Sequence, residues 1–181
     1  FGTISSTKNQ MSDLADVHKQ LSEAQAKEVK NIDAKKFDKI CRFAQVENDR
    51  NVMFILDNMA RFLDQNEKSS FSSCRSTFFS NHASFTEQFR KFDNSVMSKE
   101  FCEGLMKEIT GGSSEGGQVA KSLVAAENLT KYVDFYSFFK CLSKMVFLAV
   151  TMRKEQNFKR KISSGQSQCD RLDAKVDAQK S

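Results

Sequence analysis

The stretch YVDFYSFFKCLSKMVFLAVTM, residues 132–152, decides the fold. Its clearest polar positions, Asp134, Ser137, Lys140, Lys144 and Thr151, fall on one narrow stripe of a helical wheel. A helix apolar almost all round is one that other helices cover. A transmembrane reading with a basic flank competes, but each of the charges Asp134, Lys140 and Lys144 near a bilayer centre would cost about 2.5 to 3.5 kcal/mol. The stretch therefore reads as the central helix of a bundle.

Everything around it allows long helices. The 181 residues contain no Pro, and four of the seven Gly lie together between Gly111 and Gly117. Pro and Gly are the strongest breakers of regular structure, so the chain has one obvious place to turn sharply. That place, GGSSEGG at 111–117, reads as a flexible loop because it has little to pack and high backbone entropy. Its composition is also that of a designed linker standing in for a longer native excursion.

Upstream, Leu14, Val17, Leu21, Ala24, Val29 and Ile32 recur at helical steps and Phe37, Ile40, Cys41 and Ala44 extend them. One long helix is expected from Met11 to Ala44, with an interruption near Asn31. The cleanest stripe, Val52, Ile55, Leu56, Met59, Phe62 and Leu63, opens after Asn48-Asp49, either of which can cap it, and is expected to end near Glu67. After a Ser-rich stretch, Phe71, Cys74, Phe78, His82, Phe85, Phe89, Phe92 and Val96 step close to a heptad, predicting a face packed continuously on other helices. A capping-box pattern, Ser84 to Glu87, competes and places a break and restart at Asn81-His82. Ser98 reads as the cap of a helix carrying Phe101, Cys102, Leu105, Met106 and Ile109. Past Met152, Phe158, Ile162, Gly165, Cys169, Leu172 and Val176 predict a final amphipathic helix, continuous with the central one or kinked at Ser163-Ser164-Gly165. No segment alternates long enough to be a convincing strand.

The fold expected is all-α: five or six helices, several long, near-antiparallel, in one helical-bundle domain over 1–181. A chain of this length buries roughly 70% of its unfolded surface, and 17 Phe supply the bulk.

The five cysteines, Cys41, Cys74, Cys102, Cys141 and Cys169, have neither zinc-knuckle nor CxxC spacing. Buried free thiols and one or two inter-helix disulfides both fit. His18 and His82 belong to no metal pattern, and His82, among Phe78, Phe79 and Phe85, reads as an imidazole bonded to a backbone carbonyl. No nucleophile elbow or phosphate-binding loop occurs, and carboxylate pairs such as Asp13 with Asp16 or Glu100 with Glu103 read as solvated faces. The expectation is a non-enzyme with no cofactor and no metal.

The formal net charge is +5, and Arg153, Lys154, Lys159, Arg160 and Lys161 against the single Glu155 account for most of it. These five are the candidate partner- or membrane-binding residues. A protein partner is the first expectation and an anionic lipid surface the alternative, with Phe158 and Ile162 available to insert. One basic run without a recognition motif is a weak nucleic-acid footprint. The absence of an initiator Met fits cleavage from a precursor or excision from a longer protein, and the sequon Asn128-Leu129-Thr130 is compatible with secretion. An extracellular or secreted binding domain is thus favoured, with a cytoplasmic setting as alternative. Two further functional readings stand beside it. One is a lipid carrier lined by the Phe seam; the other is a coiled-coil scaffold joined through Leu14 to Ile32 and Phe158 to Val176, unless those seams pack on each other.

Overall fold

The computed structural model describes residues 2–47, 49–110 and 129–180, with side chains over 8–47, 49–110 and 135–163. The described residues form helices α1 (Gly2–Asn31), α2 (Ala34–Glu47), α3 (Arg50–Asp64), α4 (His82–Lys91), α5 (Lys99–Thr110) and α6 (Leu129–Lys180), and no strand. The chain is an all-α assembly of mutually packed helices. The Gly111–Gly117 loop and Asn128 of the sequon lie outside the described residues.

Side-chain oxygens set the helix boundaries. The expected interruption near Asn31 is present and divides the N-terminal run into two helices, the first beginning at Gly2 rather than Met11. Asp33 Oδ1 accepts the Lys36 N–H at 2.8 Å to start α2, while Lys36 Nζ donates to the Asn31 carbonyl at 3.2 Å to close α1. Ile32, between them, is fully buried. Of the two candidate caps of α3, Asp49 has extended backbone and accepts from Asn51 and Val52 at 2.9 and 3.2 Å. The far end of α3 comes earlier than expected, at Asp64, because Gln65 turns into the left-handed region at φ 53° and ψ 39°. Its N–H bonds the Phe62 carbonyl, and that of Asn66 bonds the Arg61 carbonyl, so the last carbonyls are satisfied without another helical turn.

The expected helical seam beginning at Phe71 is corrected by the structure: residues 71–80 form consecutive turns, and regular helix begins only at His82. Hydroxyls compete there with the helical ladder. The Ser70 and Ser73 side chains each accept the other residue's N–H, and Thr77 Oγ1 donates to the Cys74 carbonyl. Asp57 accepts the Phe71 N–H at 2.8 Å, anchoring the turns to α3. The restart falls at the expected place, but Asn81 is the cap, accepting the Ser84 N–H at 2.8 Å; Ser84 lies inside the helix. Phe92 ends the regular segment and Val96 is 51% exposed, so the seam does not reach it. Ser98 caps α5 as expected, accepting from Phe101, and its own N–H donates to Glu67.

One buried cluster gathers Ile32, the inner faces of α2 to α5, the turns at 71–79 and α6 from Phe135 to Ala149. Phe85 stands at its centre, with ring centroids 5.0 Å from both Phe37 and Phe89, 5.7 Å from Phe79 and 5.9 Å from Phe138. The rings meet tilted or edge to face, the geometry their quadrupoles favour. Phe37, Phe79, Phe85, Phe89 and Phe138 thus pack against one another as core. Within α6 most apolar side chains from Phe135 to Ala149 are buried as read, Tyr136 being exposed, and the buried Ser143 bonds the Phe139 carbonyl at 2.9 Å. Among the described residues Phe135–Ser163 is long and apolar enough to cross a bilayer, yet 61% of its most apolar stretch is buried inside the protein.

The disulfide reading gives way to free thiols. Cys41, Cys74, Cys102 and Cys141 are unpaired and buried, each packed as a small apolar group; the Cys169 side chain is outside the described set.

Helix α6 has 52 residues, about 78 Å at 1.5 Å per residue. Helix α1 packs along it more extensively than any other element. Glu155 Oε1 accepts from His18 Nδ1 at 2.6 Å, and Glu28 Oε2 lies 4.0 Å from Lys140 Nζ. Numbers rising on one helix meet numbers falling on the other, so the pair is antiparallel. The half-buried positions of α1 include Met11, Leu14, His18, Leu21, Gln25 and Glu28. Val17, expected on the apolar face, is 42% exposed. Three polar residues therefore occupy a seam that the apolar pattern assigned differently.

Candidate functional site: the basic segment of α6

Residues 153–161 of α6 follow directly on the core stretch, and the helix carries their side chains around its surface. Seven residues bring a helix back to nearly the same face, so Arg153 and Arg160 project together, as do Lys154 and Lys161. The structure follows that division. Arg153, Lys154 and Arg160, with Lys99, Cys102 and Glu103 of α5, line a cavity of about 250 Å³. Lys154 and Lys161 lie with Phe158 along a groove against Asp13, Leu14 and Val17 of α1. Lys159 borders neither. The five residues singled out in the sequence are thus divided over two faces, with Lys154 between them.

The segment's only acidic residue is withdrawn from its neighbours. Glu155 is committed to His18 across the α1–α6 seam, with its side chain only 12% exposed. Among the described residues Arg153, Lys154, Lys159 and Arg160 make no ion pair within 4.0 Å. Lys161 Nζ sits 5.3 Å from the centre of the Phe158 ring, a cation–π contact that leaves its charge unneutralised.

Arg153 is the half-buried member, and its Nε is buried without a hydrogen-bond partner. An unmet buried donor costs about 1 to 3 kcal/mol, so the guanidinium is poised to gain from an acceptor entering the cavity. Across the cavity Glu103 lies 3.9 Å from Lys99, an exposed pair of small energetic weight. Lys99 was not among the residues singled out in the sequence. It lies more than 50 positions from the basic run, and only the packing of α5 on α6 brings it there.

The chemistry available here is electrostatic. Burial pushes the Cys102 thiol up, and Glu67 and Glu103 add to this, while the Arg153 guanidinium pulls it back only in part. Cys102 is therefore a neutral thiol near pH 7, unlike an activated nucleophile. Burial and then Asp38 push Cys41 up to about 12, and burial pushes Cys141 higher still. His82 Nε2 donates to the Ile32 carbonyl at 2.7 Å, the backbone-bonded imidazole expected, and tethers α4 to the α1–α2 junction. His18 faces Glu155, so the two histidines serve separate packing contacts. Among the described residues no three His, Cys, Asp or Glu side chains are grouped to hold a metal ion.

No family model matches this chain, and neither the curated proteins nor the solved structures contain a significant match to it.

Proposed function

We propose that this chain is a non-enzymatic helical-bundle binding domain that docks an acidic segment of a protein partner on Arg153, Lys154, Lys159, Arg160 and Lys161. The observation that carries the reading is the commitment of Glu155 to His18, which leaves the five neighbouring cations with no ion pair within 4.0 Å among the described residues. Such a concentration of one sign raises the local concentration of an opposite charge and speeds encounter with it. Protonated core thiols and histidines engaged in separate contacts support the non-enzymatic part.

A fluorescein-labelled oligoglutamate peptide, followed by fluorescence anisotropy, tests the docking. Binding is expected at low ionic strength and is expected to weaken at 0.5 M salt, where the screening length shrinks to a few ångströms, about 4 Å. The triple substitution Lys154→Gln, Arg160→Gln and Lys161→Gln should abolish it while helical circular dichroism is retained. Binding to anionic phospholipid vesicles with none to the peptide would replace this reading with the membrane one.

A further inference from the structure

We propose that the cavity between α5 and α6 holds the phosphate group of a phosphorylated side chain in the docked segment; this rests on the acidic-segment reading above. Lys99, Arg153, Lys154 and Arg160 converge on the cavity from two helices, and Glu103 is their one acidic neighbour there. Glu103 lies beside Lys99 at 3.9 Å. Among the described residues Lys154 and Arg160 make no ion pair within 4.0 Å, and Arg153 makes none either, its guanidinium contacting the neutral Cys102 thiol while feeling the more distant Glu67. A carboxylate offers two acceptor oxygens and one charge. A phosphate monoester offers three and close to two charges, a better match to several donors arriving from different directions.

Size narrows the occupant further. Pockets for whole small molecules run from about 300 to 1,000 Å³. At about 250 Å³ the cavity accommodates a phosphate and the atoms that attach it to a chain. Arg153 supplies the specific element. Its Nε is buried and has no partner, and a planar guanidinium can bind two oxygens of one phosphate at once. Its neighbour Cys102 is a neutral thiol, so it adds no charge that would repel the anion.

The test compares three fluorescein-labelled peptides of identical acidic flanks carrying a central phosphoserine, serine or glutamate. The phosphoserine peptide is expected to bind about tenfold more tightly than the serine peptide, with inorganic phosphate competing. Arg160→Gln, at an exposed position, should remove that preference, and Arg153→Lys should reduce it because the fork is lost while the charge remains. Lys159→Gln, away from the cavity, should leave the preference intact. Equal binding of the three peptides would overturn the phosphate site while leaving acidic docking in place. Binding of none would overturn both, and preferential binding to phosphoinositide-containing vesicles over the phosphopeptide would assign the cavity to a membrane instead.

Discussion

The aromatic core and the α1–α6 pair are held together by different means. Around Phe85 burial is complete and the neighbours are other rings, whereas from Lys8 to Asn31 of α1 no side chain is fully buried. The seam of α1 instead carries His18, Gln25 and Glu28, and the Oε1 of Gln25 is buried without a hydrogen bond. Apolar burial contributes most of the stability of a fold, while polar groups at a seam lower stability and select register and partner. We infer that the core supplies the folding free energy and that the polar contacts fix how α1 lies on α6. That register matters for the basic face, because it sets Glu155 against His18.

Four measurements would break or sharpen this contrast. Labelling of Cys141, fully buried with its thiol pushed up by burial and by Glu28, should be slowed roughly a thousandfold or more relative to the denatured chain, tracking global unfolding. Rapid labelling of Cys141 in the native protein would mean that the core opens locally and the contrast is lost. Phe85→Ala, followed by urea denaturation, should destabilise the protein by about 3 to 5 kcal/mol through a cavity ringed by Phe37, Phe79, Phe89 and Phe138.

Glu155→Ala should cost less, about 1 to 2 kcal/mol, for the lost charge-assisted bond to His18. Hydrogen exchange should then rise in α1 while α3 stays protected; equal loss in both would show that the two regions open as one unit. The smallest effect concerns the exposed carboxylates of the loops. Hydrogen bonds from Ser98 hold Glu67 below the usual carboxylate range, and those from Ser95 do the same for Asp93. A lowered folded-state pKa contributes stability that is fully present above the unfolded value and is lost as pH falls through the folded one. A slight loss of stability below about pH 4 is therefore expected, reduced in the Ser98→Ala variant.

Much of the fold was legible because burial follows hydrophobic periodicity. The stripe from Val52 to Leu63 became the buried face of α3, Ser98 capped α5, and 132–152 fell within the core helix where its side chains are described. The same periodicity misread the segment from Phe71 to Phe78, because it identifies residues that seek burial and not the backbone that carries them. Phe71 and Cys74 are buried as read, but on turns held by Ser and Thr hydroxyls, and those turns bury Phe79 in place of Phe78, which the pattern chose and which is only half-buried. On α1 the pattern chose Val17 and missed His18, whose polar character hides its place in the seam until Glu155 stands opposite. The candidate site divided in the same way: the five cations were visible as a run, while Lys99 and the cavity were not.

By itself, then, the sequence determined an all-helical chain with a central apolar helix and a basic segment following it, since helical spacing, absent Pro and local charge are properties of neighbours along the chain. Only the tertiary structure decided which cations share a cavity, which carboxylate is spent on His18, and that four cysteines remain free thiols. Those outcomes depend on distances between residues remote in sequence, set by how the helices pack.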